Sequence, residues 1–337
     1  LTANPNYPNK KMYKNLKLDN KYYNMEIIRA PIISRGDNKI SLFLNYFSFV
    51  FSALFVGYFR LLNKKFDIIF VFQPSPITTI IPALIMSKLK NTKTVVWVLD
   101  LWPDTLKPMG FLNNYFLKRF AFLLSNFIYS RADLILAQSA SMSKLLQGRL
   151  PNSNIKHLPN WVEEELFSRV NISAKKKSDK FHIYFAGNIG LAQDFDSIIK
   201  AIELIEKKDS FQITIIGDGK EKNKIQQQVQ KKGLTNVIYF KNTVPLKKIA
   251  NILQQADALI LSLKKAEVFE YTIPGKLQSY LAIGLPIISM LSGESANIIQ
   301  ENKLGLNAKS GDYKGLAKNI IQIKNMSKLN RSLMGQR

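Results

Sequence analysis

Residues 272–289 read TIPGKLQSYLAIGLPIIS and indicate a short helix with both ends marked, followed by a buried strand. Pro274 suits the first turn of a helix, where its missing N–H group would have no partner. Gly284 suits the left-handed position that ends a helix, and Pro286 keeps the helix from continuing. The apolar run that begins at Ile287 predicts a strand covered on both faces. A helix that leads directly into such a strand is typical of α/β proteins.

The start of this helix is a candidate phosphate site. The first N–H groups of a helix have no partner within it, and the helix dipole is positive at that end. Gly275 lets a ligand approach the backbone closely, and Lys276 adds a full positive charge. Taken by itself, the stretch is explained more simply by an ordinary helix of an α/β sheet, so the rest of the chain has to decide.

The same alternation of apolar strands and helices runs along the whole chain. Most candidate strands are continuous Val, Ile, Leu and Phe runs, which is typical of parallel strands covered on both faces. Strands are predicted at 27–33, 66–72, 93–100, 134–138, 155–158, 181–186, 211–217, 237–240, 258–263 and 286–290. Helices are predicted over 195–205, 220–232 and 247–255. A polar break near 160–180 separates two doubly wound α/β domains, which we predict over residues 1–165 and 175–337.

Composition excludes several kinds of site. The 337 residues include no cysteine, which excludes disulfides and thiolate metal sites. The two histidines, His157 and His182, have no second ligand at metal-binding spacing. We therefore predict no metal site and no Ser-His-Asp chemistry.

The net charge of +24 is spread over both halves of the chain. Residues 1–170 carry 22 Lys and Arg against 10 Asp and Glu, and the remaining residues carry 26 against 14. Such a charge indicates an anionic partner, namely nucleic acid, anionic lipid or a phosphorylated substrate. The sequence has no nucleic-acid-binding motif, so we predict no nucleic-acid partner.

Residues 40–62 (ISLFLNYFSFVFSALFVGYFRLL) are long and apolar enough to suggest a membrane span. Asn45 and Arg60 interrupt the run, and it lies between two predicted strands of one domain. We therefore favour a core or interfacial helix over a transmembrane one. Its Phe and Tyr residues, with Lys64 and Lys65 nearby, suit contact with a bilayer surface.

Two more strand-to-helix loops carry glycines at the edge where open α/β sheets bind ligands. They read GNIGLAQD at 187–194 and GDGK at 217–220. Such turns expose backbone N–H groups beside a helix, although a generic tight turn has the same residues. Neither is the Gly-x-Gly-x-x-Gly dinucleotide fingerprint. Together with 272–276, these loops predict a nucleotide-diphosphate site on one rim.

One loop in the first half is a candidate for acceptor chemistry. The strand over 93–100 ends in Asp100, which is followed by Trp102 and Asp104. A carboxylate in this position can accept a proton from a substrate hydroxyl, and an indole can stack on a sugar ring. The structural alternative is a helix cap at Asp104 and a packed Trp102. Both interpretations stay open.

Several segments together resemble the retaining glycosyltransferases of family 4. The segments are YFAGNIGLAQ at 184–193, IGDG at 216–219, AD at 256–257 and PGKLQSYLAIGLP at 274–286. VLDLWPD at 98–104 and PNW at 159–161 are similar to a subgroup that acts in O-antigen and capsule synthesis and includes N-acetyl-fucosamine transferases. The resemblance implies a GT-B fold, in which two Rossmann-like domains face each other across a cleft.

The resemblance also implies roles for individual residues, with a donor site in the second domain, an acceptor site in the first, and no metal or cofactor. Residues expected to bind the donor diphosphate are Gly187, Asn188, Gly190, Gln193, Gly275, Lys276 and Ser279. Residues expected near the nucleotide base are Gly217, Asp218, Gly219 and Lys220. Residues expected to contact the acceptor are Tyr7, Trp102 and Asp104. Lys276 and Asp100 are the catalytic candidates.

The sequence departs from the family pattern at donor-binding positions. Many members carry an Arg and a Lys where this chain has Asn188 and Gln193, and two glutamates where it has Tyr271 and Ser279. We expect Lys276 to compensate for the missing cations. Compared with the family, the chain is also expected to lack the first strand with its glycine-rich loop and part of the final helix.

The combined prediction is retaining transfer of a sugar, of the N-acetylated amino or deoxy class, from a UDP-sugar to a polyprenyl-diphosphate-linked saccharide in surface polysaccharide synthesis. The expected location is the inner face of the cytoplasmic membrane, whose anionic surface attracts a basic protein. Two alternatives stay open. One is a sugar-nucleotide epimerase of the same fold, which two histidines away from the rim loops argue against. The other is a non-catalytic partner subunit, which the changes at Asn188, Gln193 and Ser279 would explain.

Overall fold

The structure is a computed structural model that describes residues 1–5, 19–34, 36, 39–108, 114–163, 166 and 179–335. It divides into two compact units, Leu1–Leu158 and Pro159–Arg337. Each unit is built on its own parallel sheet flanked by helices.

The first unit begins with four short strands and a long helix. The strands are β1 (Thr2–Ala3), β2 (Lys21–Tyr22), β3 (Met25–Glu26) and β4 (Arg29–Ala30). Strand β1 pairs in parallel with β4, and β2 pairs with β3 as a hairpin. The strand predicted over 27–33 is therefore reduced to the two residues of β4. The apolar segment forms helix α1 (Lys39–Leu61).

A four-stranded parallel sheet forms the centre of the first unit. Its strands are β5 (Ile68–Gln73), β6 (Lys93–Val98), β7 (Leu134–Ala137) and β8 (Ile155–His157). Its order follows the chain, β5–β6–β7–β8. The helices between these strands are α2 (Ile80–Lys90), α3 (Tyr115–Tyr129) and α4 (Ala140–Arg149). Strand β6 is the most buried of the four, with Val96, Trp97 and Val98 almost fully covered, and Trp97 donates a 3.0 Å hydrogen bond to the Leu158 carbonyl.

Within the described part of the chain, α1 is the one helix long and apolar enough to cross a membrane, judged by length and composition over Ile40–Leu61. Only 22% of its most apolar window is buried in the protein. A helix buried in the core, one of the two alternatives favoured from the sequence, is therefore wrong. The interfacial alternative stays a prediction.

The second unit is a six-stranded parallel sheet. Its strands are β9 (Phe181–Ala186), β10 (Phe211–Ile216), β11 (Ile238–Lys241), β12 (Ala258–Ser262), β13 (Ile287–Met290) and β14 (Gly305–Ala308). Their spatial order is β11–β10–β9–β12–β13–β14. This is the 3-2-1-4-5-6 order of Rossmann folds, and its direction reverses between β9 and β12.

Helices cover both faces of this sheet. They are α5 (Phe195–Glu203), α6 (Lys222–Lys231), α7 (Leu246–Leu253), α8 (Glu267–Glu270), α9 (Gly275–Ile283), α10 (Glu294–Glu301), α11 (Tyr313–Asn325) and α12 (Lys328–Gly335). Helices α5, α6 and α11 share one apolar core with the strands, and α7, α9 and α10 share the other. Continuous apolar strands are needed because each strand packs against helices on both sides.

Two details differ from the sequence prediction. Pro274, expected in the first turn, precedes helix α9 as its N-cap residue with an extended backbone. Strand β14 was not expected, because its sequence GLNA lacks a β-branched run, and pairing with β13 creates it. Gly284 does end α9 in the left-handed conformation, with φ of 70°.

Candidate functional site

The carboxyl ends of β9 and β12 define the candidate site in the second unit. These strands are neighbours, and the helices that follow them, α5 and α9, pack on opposite faces of the sheet. The strand order reverses between β9 and β12, so the loops that follow these two strands run apart and a crevice opens between them. Open α/β sheets bind ligands in such a crevice. Residues 187–194 follow β9, and α9 begins at Gly275 after the loop that follows β12.

Lys276 of α9 lies directly against Gly187 at the end of β9. A Cβ atom placed on Gly187 would come within 2.5 Å of the Lys276 Cε atom. The Lys276 Nζ atom lies 5.3 Å from the centre of the Phe185 ring. Gly187 also has φ of 141°, a conformation that L side chains rarely adopt. Glycine is therefore required at position 187 by its own backbone and by the lysine that packs on it.

The Lys276 ammonium contacts the Phe185 ring but has no anionic partner among the described residues. Burial lowers the pKa of this group to about 8, although the residue keeps part of its surface in solvent. It makes no hydrogen bond or ion pair with any residue that the structure describes. Lowering a lysine pKa costs free energy because the charged form loses water. An anion at this position would remove that cost and pair with the charge.

The backbone at the start of α9 adds further donors. Pro274 contributes no side-chain cap, and the first N–H groups of a helix have no intrahelical partner. The N–H groups of Gly275 and Lys276 therefore stand beside the lysine charge. Unpaired N–H groups, the positive end of the helix dipole and an ammonium group together form an anion site.

Tyr280, which sequence reasoning missed, holds α9 in place. Its side chain is 1% exposed, and its hydroxyl accepts a 2.9 Å hydrogen bond from the Ala186 N–H. This bond joins the helix to the end of β9, one residue before Gly187. The available signal was the helical spacing of Tyr280 four residues after Lys276, which places both on one side of α9.

The two glycine loops contact each other through their backbones. Gly217 has φ of 146°, and a Cβ atom there would lie 2.0 Å from the Gly187 carbonyl oxygen. The Ile189 N–H donates to the Asp218 carbonyl at 2.8 Å, and the Glu221 N–H donates to the Ile189 carbonyl at 3.1 Å. The structure thus brings together the loops that the sequence placed on one rim.

The contacts of the 217–220 loop indicate that its residues act through their backbone groups. Asp218 is exposed, and its carboxylate accepts a 2.9 Å bond from the Gly219 N–H. Lys220 is also exposed. Lys222, which sequence reasoning missed, donates to the Gly217 carbonyl at 3.2 Å and to Asn242 Oδ1 at 3.1 Å. Contact with a nucleotide base stays a prediction for residues 217–220.

Three of the four positions where the family resemblance implied charged residues differ from one another in their surroundings. Asn188 is exposed, and its amide nitrogen lies 2.8 Å from where a Cβ on Gly190 would stand. Gln193 is buried, and its Oε1 has no hydrogen-bond donor among the described residues. The Ser279 hydroxyl donates to the Gly275 carbonyl at 3.1 Å. No lysine or arginine stands at any of these positions, so Lys276 and Lys222, which bonds to the Gly217 carbonyl, are the cations that these contacts place at the rim.

In the first unit, Asp100 is the ionisable residue whose side chain has no hydrogen-bond or ion-pair partner among the described residues. It follows β6, and burial raises the pKa of its carboxyl to about 7. Its carboxylate makes no hydrogen bond with a described residue, while its carbonyl accepts a 3.3 Å bond from Gln73. Nearby, the buried Tyr129 hydroxyl accepts from the Trp102 N–H and donates to Gln73 Oε1, both at 3.3 Å. These bonds fix the loop and leave the Asp100 carboxyl available.

The remaining acceptor candidates have structural partners or lie outside the described residues. The Trp102 indole donates to Ser75 Oγ at 3.1 Å. Asp104 pairs with Arg149 through two hydrogen bonds of 2.6 and 2.8 Å. Asp104 makes no helix-cap bond, so the capping alternative is wrong and the ion pair replaces it. Tyr7 falls outside the described part of the chain.

Within the described residues, no group of three or more His, Asp or Glu side chains is placed to hold a metal ion. The chemistry that the two rims offer comes from the Lys276 ammonium, the N–H groups of α9 and the Asp100 carboxyl.

The residues that form this rim lie within the range that matches a protein-family model. Residues 169–335 match the family model of glycosyl transferases group 1. The matched range is nearly the whole second unit and contains both glycine loops and α9.

Two similar proteins are also named as glycosyltransferases. The chain is 27% identical to a probable glycosyltransferase, WbjE, from Pseudomonas aeruginosa over 68% of this chain and 60% of that protein. It is 23% identical to WcaI of Escherichia coli, a putative colanic acid biosynthesis glycosyl transferase, over 63% of this chain and 56% of that protein. The chain thus spans less than two thirds of the length of these relatives.

The fold class is confirmed. The solved structure of Anabaena HepE in complex with UDP-glucose superposes with a TM-score of 0.66 at 13% identity, over 92% of this chain and 79% of that one. Together with the two parallel-sheet units, this likeness places the chain in the GT-B class of α/β folds.

Proposed function

We propose that this protein is a retaining glycosyltransferase that moves a sugar from a UDP-sugar to a polyprenyl-diphosphate-linked saccharide. The observation that carries the proposal is the Lys276 ammonium at the start of α9, which lies against Gly187 and has no anionic partner among the described residues. A diphosphate supplies the anion that this arrangement lacks.

The donor half of the reaction needs a group that stabilises the departing diphosphate. As the bond from the sugar to the diphosphate breaks, negative charge grows on the leaving oxygen. Lys276 and the N–H groups of Gly275 and Lys276 are fixed in place before the reaction, because Tyr280 ties α9 to β9. This role needs no metal ion, since the ammonium group and the helix dipole supply the positive charge.

For retention, the acceptor hydroxyl attacks the sugar on the same face from which the diphosphate leaves, and the acceptor half needs a group that takes the proton of this hydroxyl. A carboxyl group with a pKa of about 7 is ionised in part at neutral pH and is a stronger base than an ordinary aspartate. We assign this role to Asp100. We also assign the acceptor contacts to Trp102, which keeps part of its surface exposed.

The substrate classes follow from the relatives and from the charge. HepE was solved with UDP-glucose, which supports a UDP-linked donor, and the name of WcaI refers to colanic acid biosynthesis, which supports an acceptor in surface polysaccharide synthesis. A net charge of +24 favours a diphosphate-bearing acceptor and a location on the inner face of the cytoplasmic membrane.

The proposal is tested by incubating the full chain with a panel of UDP-sugars and a polyprenyl-diphosphate saccharide, with mass spectrometry of the products. We expect release of UDP and an acceptor heavier by one sugar for one member of the panel. An epimerised UDP-sugar formed without acceptor would instead identify an epimerase. Failure to bind UDP in calorimetry would instead identify a non-catalytic subunit.

A further inference from the structure

Helix α1 carries a row of exposed phenylalanines, which we call the Phe stripe. It consists of Phe43, Phe47, Phe51, Phe55 and Phe59. Each follows the last by four residues, so neighbouring rings are adjacent, and the row advances about 24 Å along the helix while it turns by about 160° around it. Their exposed fractions range from 39% to 69%. An exposed apolar surface of this length marks a site of interaction with a protein or a membrane.

The opposite side of α1 is fixed to the first unit. The buried Asn45 amide donates to the Ile33 carbonyl at 2.5 Å, and the Ile33 N–H donates to Ser48 Oγ at 3.0 Å. Further along, a Cβ on Gly57 would stand 3.9 Å from the Met86 side chain of α2. A membrane-spanning position would have to break these contacts and expose the core beneath them. The helix is therefore placed to lie along a membrane surface rather than to cross it.

The carboxyl end of α1 adds basic and amphipathic side chains. Arg60 lies 3.8 Å from Glu26, and Lys64 also pairs with this carboxylate. Glu26 belongs to the β2–β3 hairpin, whose tip exposes Tyr22, Tyr23 and Met25. Tyrosine and lysine side chains place apolar atoms among lipids while their polar ends reach the headgroup layer. This end of the surface thus has the composition of a lipid headgroup contact.

We propose that the first unit docks on an anionic lipid bilayer, with α1 in the membrane plane and the Phe stripe among the acyl chains. Charge favours this occupant over a second copy of the chain, because two proteins of charge +24 repel each other. Anionic lipids attract the same charge. The inference deepens the proposed function and rests on it only for the lipid-borne acceptor, since docking itself needs neither donor nor acceptor.

Flotation with vesicles tests this docking. The full chain is mixed with vesicles of phosphatidylcholine alone or with added phosphatidylglycerol, and the bound fraction is measured. We expect binding to the anionic vesicles that falls with added salt, because the basic side chains contribute to it. In the double variant Phe51→Ser with Phe55→Ser, binding weakens by about tenfold or more, because two apolar anchors are lost.

A matched control is Leu329→Ser, which changes an exposed apolar residue on α12 of the second unit and leaves vesicle binding unchanged. Thermal melts of the Phe variant should match the wild type, since both rings are exposed. Wild-type protein that stays unbound at low salt, or a Phe variant that binds as well as wild type, overturns the proposal. A concentration-dependent dimer that the Phe variant dissociates overturns it in favour of a second copy. Sugar transfer to a water-soluble acceptor, measured separately, reports the proposed function whatever the vesicle result.

Discussion

Each unit holds a partly buried ionisable side chain that has no hydrogen-bond or ion-pair partner among the described residues, and the two groups have opposite charge. In the second unit it is the Lys276 ammonium, and burial lowers its pKa to about 8. In the first unit it is the Asp100 carboxyl, and burial raises its pKa to about 7. Asp100 lies two residues after β6, whereas Lys276 lies on α9 against the residue that follows β9. Loss of water disfavours the charged form of both groups.

The surroundings of these groups differ in a way that separates their roles. Around Lys276, backbone groups converge, and glycines allow close contact between loops. Around Asp100, side chains of Gln73, Trp102 and Tyr129 form a hydrogen-bonded frame. Backbone donors suit a polyanion with many oxygens, whereas one carboxyl in a rigid frame suits the transfer of one proton. The comparison therefore supports the proposed roles, which are anion binding in the second unit and proton transfer in the first.

The largest expected effect comes from Asp100→Asn. The amide keeps the shape of the carboxyl but cannot take a proton, so kcat for sugar transfer should fall by about 10² to 10⁴. For the wild type, kcat/KM should rise as the pH rises through about 7, because the carboxyl must be ionised. Steady-state kinetics from pH 6 to 8 measure both effects.

Stability provides the control for this variant. A carboxyl whose pKa is raised in the folded protein favours folding at low pH, and this contribution is lost as the pH rises through about 7. Asp100→Asn should therefore melt close to the wild type at pH 4 and above it at pH 8. A variant that is active, or that melts lower at both pH values, would contradict the role of a buried base.

The next effect concerns the contact between the glycine loops. Gly217→Ala places a methyl group 2.0 Å from the Gly187 carbonyl oxygen, and we expect a loss of about 2 to 4 kcal/mol in the free energy of unfolding. The matched control is Gly233→Ala, which also has positive φ but no atom within 4 Å of the added carbon. It should cost about 1 kcal/mol. Equal losses in urea denaturation would show that the loop contact contributes nothing beyond backbone strain.

Lys276→Met is expected to have smaller effects, which are weaker UDP binding and a more stable fold. Removing the charge should weaken UDP binding about tenfold to a hundredfold. It should also raise the free energy of unfolding at pH 7 by about 1 to 3 kcal/mol, because a desolvated charge is replaced by an apolar chain. The stability gain should shrink as the pH rises from 8 toward 10, where the lysine is neutral in the folded state. A variant that loses both stability and affinity would mark Lys276 as a packing residue only.

Much of the second unit could be predicted from the sequence because its elements are marked locally. Apolar runs bounded by glycine located strands such as Phe181–Ala186 to the residue, and Gly284 marked the end of α9. The order of the strands placed the two glycine loops together, as expected from a doubly wound sheet. Strand β14 escaped prediction because pairing with β13, rather than its own residues, makes it a strand.

Contacts between distant side chains could not be predicted in the same way. Nothing local indicates that Arg149 pairs with Asp104, 45 residues earlier, or that Tyr280 bonds to Ala186, 94 residues earlier. The exposure of α1 could not be predicted either, because an apolar run has the same sequence pattern whether a protein core or a lipid surface covers it. Burial decides between these, and burial depends on the whole fold.

The central claim, that Lys276 binds the donor diphosphate, is tested most directly by the pH dependence of UDP affinity. Above pH 7.5 the phosphates of UDP are almost fully ionised, so the difference in pH dependence between the wild type and Lys276→Met reports the lysine. Calorimetric titrations of the wild type should show affinity falling by about tenfold or more between pH 7.5 and 9.5, as an ammonium with a pKa of about 8 loses its proton. Lys276→Met should bind more weakly with little change over this range. Equal pH dependence in the two proteins would contradict the account.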